Sequence, residues 1–263
     1  MNSASRFDAV AAAHFIADAH RSRATYENLP ERLAPQSAAD AYAAQEALRD
    51  LWEPLHGPVV GLKIATTTKV MQQLMGIDSP CAGMIYERRV RTSPARLKLG
   101  DYVHLAVEFE LAVRLKSALP AKQRPYTAAE AQAAVGEVMP AFELIEDRNA
   151  HYKSTRALSL IADNAWNAGI VLGPARRMLA GQDVNGLQGR LTINGAENAT
   201  GRTDDPMGAL AWLATLAAER KRPLQAGMVV ITGSVIPTLP IAAGEHFRFE
   251  LESLGAVELS AEA

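Results

Sequence analysis

The chain has 263 residues, 48% hydrophobic and 21% charged, with a formal net charge of −2 and a single cysteine, Cys81. That composition fits one large globular domain and excludes a basic nucleic-acid-binding surface, an intramolecular disulfide and a multi-thiolate metal site. No apolar run approaches the roughly 18 residues a membrane helix needs, and the start, Met1-Asn-Ser-Ala-Ser-Arg-Phe-Asp, carries no secretory h-region, so a reduced, cytoplasmic protein is expected.

Phe7, Val10, Ala11 and His14 recur at helical spacing and predict a helix from about Arg6 to Arg21. Ser37, with Asp40 three residues on, reads as the N-cap of a second helix, which Pro54 ends. These alanine-rich segments make residues 1–57 the mainly helical N-terminal part of a single domain, with a β-rich core over 58–263. The core opens on Val59-Val-Gly-Leu-Lys-Ile-Ala, a strand whose apolar run Lys63 interrupts. A short helix is expected at Lys69–Met75, then a Gly76–Pro80 loop holding Asp78.

Residues 90–115 read as strand, turn, strand. From Val103 to Leu115 every odd position is apolar, while the even positions carry His104, Glu108, Glu110 and Arg114. Alternation at period two is the mark of a half-buried strand, so Glu108 and Glu110 point the same way, roughly 7 Å apart. Like charges at that spacing need water, basic side chains or a cation. Mg²⁺ and similar hard cations select carboxylate oxygens; a simply solvated face answers the same pattern.

Thr127 with Glu130 forms a capping box for a helix to about Val138. In the strand that follows, Met139–Glu146, Glu143 is a lone carboxylate on a face otherwise suited to a core. A polar loop at Asp163-Asn164 precedes a strand at Gly169–Gly173. Another strand leads into the Asn194-Gly195 turn, and Asp205 with Pro206 starts a helix to about Arg220. Met228–Thr232 and the alternating Phe247, Phe249 and Leu251 are strands. Helices scattered among many strands argue for an α+β fold with a large, curved, mostly β core.

Lys63, Glu108, Glu110 and Glu143 stand out because their neighbours are apolar, and buried charges are rare unless paired or metal-bound. Converging in one dry cleft they would satisfy one another; as edge-strand charges they would guard against aggregation. No Gly-rich nucleotide loop follows a strand, and Ser234 lacks the Gly-x-Ser-x-Gly frame of a nucleophile elbow. His104 shares the face of the two glutamates, and Trp166, in a polar loop, is suited to line a pocket.

These residues fall into a familiar order. Gly61-Leu-Lys63-Ile-Ala-Thr-Thr, Val107-Glu108-Phe-Glu110, Pro140-Ala-Phe-Glu143-Leu-Ile-Glu146-Asp147-Arg148, Ala162-Asp163-Asn164-Ala165 and Thr232-Gly-Ser234-Val-Ile-Pro-Thr-Leu-Pro resemble the 2-keto-4-pentenoate hydratase / 2-oxo-3-hexenedioate decarboxylase family of the fumarylacetoacetate hydrolase superfamily. The likeness covers almost the whole chain. It implies a mixed β-sandwich or roll with outer helices, and Mg²⁺ or Mn²⁺ held by Glu108, Glu110 and Glu143. It further implies Lys63 and Asp78 in proton handling, and Asp163, Asn164, Trp166 and Ser234 at the substrate. The activity implied is hydration of a 2-hydroxy-2,4-dienoate, via its 2-oxo-3-enoate form, to a 4-hydroxy-2-oxo acid in meta-cleavage catabolism of aromatic compounds. Decarboxylation of a 2-oxo-3-enedioate, or a non-catalytic partner subunit or ligand-binding member of the fold, are the alternatives. The partners implied are a small 2-oxo acid and further copies of the chain, with neither nucleic acid nor membrane. Trp166 stands where that family usually has serine, Glu146 where aspartate is usual, and Ala65 where glycine is usual.

Overall fold

The computed structural model describes residues 7–67, 72–73 and 75–263. The expected helix at 69–75 lies largely outside the described residues, as does Arg6. Helix α1 spans Ala9–Arg21 and is capped by Asp8, whose carboxylate accepts from Ala11 N at 2.9 Å. Helix α2, Ala38–His56, opens on Ser37, whose hydroxyl accepts from Asp40 N. Pro54 does not end it. The last turn survives because Trp52 is buried and Gly57, at φ 78°, bonds back to Glu53 O at 2.9 Å; glycine takes that left-handed geometry without a Cβ penalty.

The strands follow as β1 Val59–Ala65, β2 Cys81–Tyr86, β3 Val90–Thr92, β4 Ala95–Lys98 and β5 Leu105–Leu115. After α3, Ala128–Ala133, comes β6, Val135–Glu146. The helix therefore stops five residues short of the expected Val138, because pairing with β5 reaches back to Leu115↔Val135 and claims those residues for the sheet. A further helix, α4 at Ala157–Ala162, precedes β7, Asn167–Leu172, and the short β8, Arg176–Arg177. The chain ends with β9 Gln188–Ile193, β10 Ala196–Arg202, α5 Pro206–Glu219, β11 Val229–Pro240, β12 His246–Leu251 and β13 Gly255–Glu262.

Two sheets result. The larger runs β2-β1-β11-β5-β6-β7-β3, with β8 alongside β6; the smaller runs β10-β9-β12-β13-β4. The odd residues of β5 face the smaller sheet, where Phe109 and Phe142 meet Phe249 with ring centroids 5.6 and 6.5 Å away. Aromatic pairs at such separations add to the gain from burying their area. The even residues of β5 face the other way, toward a separate apolar cluster that includes Ala112, Met139, Ala141 and Ile170. Both faces of β5 are thus covered, and Glu110 and Glu143 are 0% exposed. The α+β expectation holds. Among the described residues, no helix is long and apolar enough to cross a membrane.

Candidate metal centre

Antiparallel pairing of β5 with β6 sets Glu108 directly opposite Glu143, and Glu110 opposite Ala141. One carboxylate oxygen from each of Glu108, Glu110 and Glu143 lies within 4.8 Å of the others. Each glutamate is also held from outside the trio. Thr238 Oγ1 donates to Glu108 Oε1 at 2.6 Å, Gly233 N to Glu110 Oε2 at 2.6 Å, and Asn167 Nδ2 to Glu143 Oε1 at 2.9 Å. The Gly233 amide is presented by an irregularity in β11, where pairing with β5 shifts between Ile231 and Ser234 and Gly233 adopts φ 119°. A side chain there would be strained, so glycine is the residue that permits the bond.

Lys63 enters from β1, its neighbour across β11, and its Nζ stands 3.0 Å from Glu143 Oε1 at 2% exposure. Room for its stem comes from Gly83 on β2: a Cβ there would fall 3.0 Å from Lys63 Cγ and 2.6 Å from Asn164 O. Burial works against the ammonium, yet Glu143 and then Glu108 hold the lysine above its ordinary pKa. Burial pushes Glu143 up to about 7, with Lys63 pulling down and Glu108 pushing further up. Glu110 is raised well above its ordinary value by burial, then by Glu108 and Glu143.

Two buried oxygens, Glu110 Oε1 and Glu143 Oε2, have no hydrogen-bond partner. Three oxygen donors, two of them orphaned and mutually repelling, form a donor set suited to a hard divalent cation. The residues present fit such an ion.

Residues 81–260 match the family described as fumarylacetoacetate (FAA) hydrolase C-terminal. The chain belongs to this family. It is 29% identical over 264 residues to 2-keto-4-pentenoate hydratase of Paraburkholderia phymatum, covering 99% of each chain. It is likewise 29% identical over 252 residues to 2-hydroxyhexa-2,4-dienoate hydratase of Comamonas testosteroni, covering 92% of this chain and 93% of that one. Among solved structures, 4-oxalocrotonate decarboxylase from Pseudomonas putida G7, complexed with magnesium and adipate, superposes with a TM-score of 0.88 at 25% identity over 96% of this chain and 97% of that one. The chain therefore has the fumarylacetoacetate hydrolase fold, with three carboxylates suited to a hard divalent cation.

In this FAA hydrolase family member the remaining predicted residues have other neighbours. Asp163 is buried between His20 Nε2 at 2.6 Å and Arg148 Nη2 at 2.5 Å. Asn164 clamps β2, accepting from Met84 N at 2.6 Å and donating to Met84 O at 2.9 Å. That clamp holds Asn164, Ala165 and Trp166 at successive φ values of 51°, 47° and 58°, a left-handed run that costs non-glycine residues roughly 1–2 kcal/mol each. Trp166 is 5% exposed between Tyr26 and Tyr152, centroids 5.0 and 5.3 Å away, and its indole N–H has no partner. Ser234 stitches the β11 irregularity, accepting from Phe109 N at 3.2 Å and donating to Ile236 O at 2.6 Å. Asp78 stands exposed on the loop before β2. His104 bonds Asp147 rather than the glutamates, at 2.7 Å.

Sequence reasoning passed over Asn167, Gly233 and Thr238. Asn167 carried a signal, a polar residue opening the apolar run Asn167-Ala-Gly-Ile-Val-Leu. Gly233 and Thr238 lie inside the Thr232–Pro240 stretch that carries the resemblance, but their reach to the glutamates depends on where β11 slips register.

Proposed function

We propose that the chain is a divalent-metal-dependent hydro-lyase that adds water to a 2-oxo-3-enoate, formed from a 2-hydroxy-2,4-dienoate, to give a 4-hydroxy-2-oxo acid. The observation that carries the reading is the convergence of Glu108, Glu110 and Glu143 on one point beside Lys63. End-to-end likeness to hydratases of such substrates supports it. Glu108, Glu110 and Glu143 are the residues that hold Mg²⁺ or Mn²⁺. When bound, such an ion supplies Lewis-acid stabilisation of negative charge developing on the substrate's 2-oxygen.

The chain's own groups do the rest. Lys63, kept charged by its carboxylate neighbours, is the proton donor to substrate carbon during ketonisation, and the proton that leaves the 2-hydroxyl recharges it. Asn167, Gly233 and Thr238 fix the three carboxylates in place, so little reorganisation accompanies reaction. Asp78 is assigned a proton-carrying or water-orienting role. Trp166, with its unpaired indole N–H, is assigned to the substrate, while Asp163 and Asn164 contribute by shaping its loop and Ser234 by shaping β11.

The decarboxylase reading draws on one observation, the 0.88 TM-score with 4-oxalocrotonate decarboxylase. Product analysis decides between them. With Mg²⁺, 2-hydroxypenta-2,4-dienoate should yield 4-hydroxy-2-oxopentanoate. Release of CO₂ from 2-oxo-3-hexenedioate, with no hydration of the dienoate, would transfer the chain to the decarboxylases. Metal binding without turnover of either would leave a binding protein.

A further inference from the structure

Asn167 has a second neighbourhood. While its Nδ2 holds Glu143, the residue also lines a cavity of about 130 Å³ shared with His20, Arg23, Arg89, Glu146 and Arg148. A void needs only roughly 10–15 Å³ of such space to admit one water, so this one has room for an ion of several heavy atoms.

The charges around it do not balance. Arg23 donates to Gly100 O at 2.9 Å and Tyr102 O at 2.6 Å. Arg89 donates to Ala168 O at 3.2 Å and lies 3.0 Å from His56 Nε2. Arg91, next to them, donates to the Tyr102 hydroxyl at 3.3 Å, and its other terminal nitrogen is buried without a partner. All of these acceptors are uncharged. Arg148 has Asp163, but Asp163 is shared with His20. Glu146 spends both oxygens on the backbone amides of Val103 and His104, each at 3.0 Å, and Asp101, which also lines the cavity, is exposed and forms no ion pair with these arginines. Among the described residues, no ion pair joins Arg23, Arg89 or Arg91 to a carboxylate.

Two unpaired polar atoms belong to this cavity's residues. Arg148, 3% exposed, has a buried Nε–H without an acceptor; Asn167, 6% exposed, has a buried Oδ1 without a donor. Guanidinium groups out of water call for an anion, and they bind planar or tetrahedral oxyanions in fork geometry.

We propose that this cavity is a binding site for a small oxyanion, held by Arg23, Arg89 and Arg148, which supplies the counter-charge they lack. The guanidinium forks of Arg23, Arg89 and Arg148 suit hydrogen phosphate or a carboxylate, and phosphate is the probe with more acceptor oxygens to share among them. The site uses none of the three glutamates and does not rest on the metal reading. Burial, and then neighbouring Arg89, push the imidazole of His56 down to about 4.

The test is calorimetric titration of the full chain with inorganic phosphate at constant ionic strength, both Mg²⁺-loaded and after EDTA treatment. Saturable binding of one phosphate per chain is expected in both forms, weakened at least about tenfold in Arg23→Gln and in Arg89→Gln. Arg23 lies on the exposed rim, so its variant reads the site even where Arg89→Gln fails to fold. Acetate and succinate replace phosphate in parallel runs; saturable binding of these alone, with the same loss in Arg23→Gln, would make the ligand a carboxylate. Binding seen only with Mg²⁺ would place the anion at the metal, and the proposal would fall. It would fall equally if no anion bound, or if Arg23→Gln bound as tightly as the parent.

Discussion

Two sets of charge, one buried and one running from buried Arg148 out to exposed Arg23, share Asn167 as a common wall, and they are unbalanced in opposite senses. In one, three carboxylates face one ammonium, Lys63. In the other, Arg23, Arg89, Arg91 and Arg148 gather around carbonyls, a hydroxyl, an imidazole and a carboxylate already shared with His20. A protein interior penalises either imbalance by several kcal/mol per uncompensated ion. Burial without a partner therefore marks where an ion of the opposite sign belongs. The acidic set is built on adjacent strands of one sheet, where register fixes the distances. The basic set is gathered from the end of α1, the turn before β3, β3 itself and the turn after β6, so its spacing comes largely from loop packing.

The largest effect that would sharpen this contrast comes from Glu110→Gln. Removing one charged oxygen donor should lower Mg²⁺-dependent turnover by about three orders of magnitude, the equivalent of several kcal/mol. Because Glu110 is buried and raised by its like-charged neighbours, the metal-free variant should melt no lower than the parent. Steady-state kinetics and thermal melts together check both halves.

Next comes Lys63→Met. Losing the ammonium leaves Glu143 uncompensated, which should cost about 3–5 kcal/mol in metal-free protein. Glu143 already has a folded-state pKa raised to about 7 from its ordinary 4.5, and without Lys63 it rises further. Its charge therefore destabilises the folded state at high pH, and the loss should shrink as pH falls below 7 and the carboxyl takes a proton. Urea midpoints at pH 8 and pH 5 would show this; equal losses at both would contradict it.

Asn164→Ala tests the seam that carries Trp166 and Asn167. It strands the N–H and C=O of Met84, 4% exposed, at an expected cost of about 2–4 kcal/mol, measured by denaturant unfolding.

The smallest effect lies in the basic set. Neutral His56 accepts from Arg89, and its pKa drops from an ordinary 6.5 to about 4. Its contribution is fully present above the unfolded value of 6.5 and is lost progressively as pH falls toward 4, because the unfolded chain takes up the proton first. The imidazole is partly exposed, so the loss should be only about 1 kcal/mol. In His56→Gln the fall in stability across that window should flatten by the same amount.

The acidic set was largely legible in the sequence. A strict period-two strand put Glu108 and Glu110 on one face, and Lys63 and Glu143 each interrupted an apolar run. What periodicity could not show was register, so the opposition of Glu108 to Glu143 emerged only with the paired strands. Pro54 suggested a helix end that burial of Trp52 overrode, and the capping box at Thr127 located the start of α3 correctly but not its end. The basic set was illegible. Arg23, Arg89 and Arg148 lie at least 59 residues apart in the chain; Arg148 closes a motif but nothing joins it to the other two, which each look like an ordinary surface arginine.

The position of β11 has a consequence for biosynthesis. It lies between β1, with which it runs parallel, and β5. A ribosome that has released residues 59–115 has therefore produced both neighbours of a gap that only residues 229–240 can fill. Until then β1 and β5 present unpaired edges and Glu110 lacks the Gly233 amide. Such late, long-range closure slows folding and leaves adhesive edges exposed, so nascent chains halted before Val229 should depend on a holding chaperone to stay dispersed.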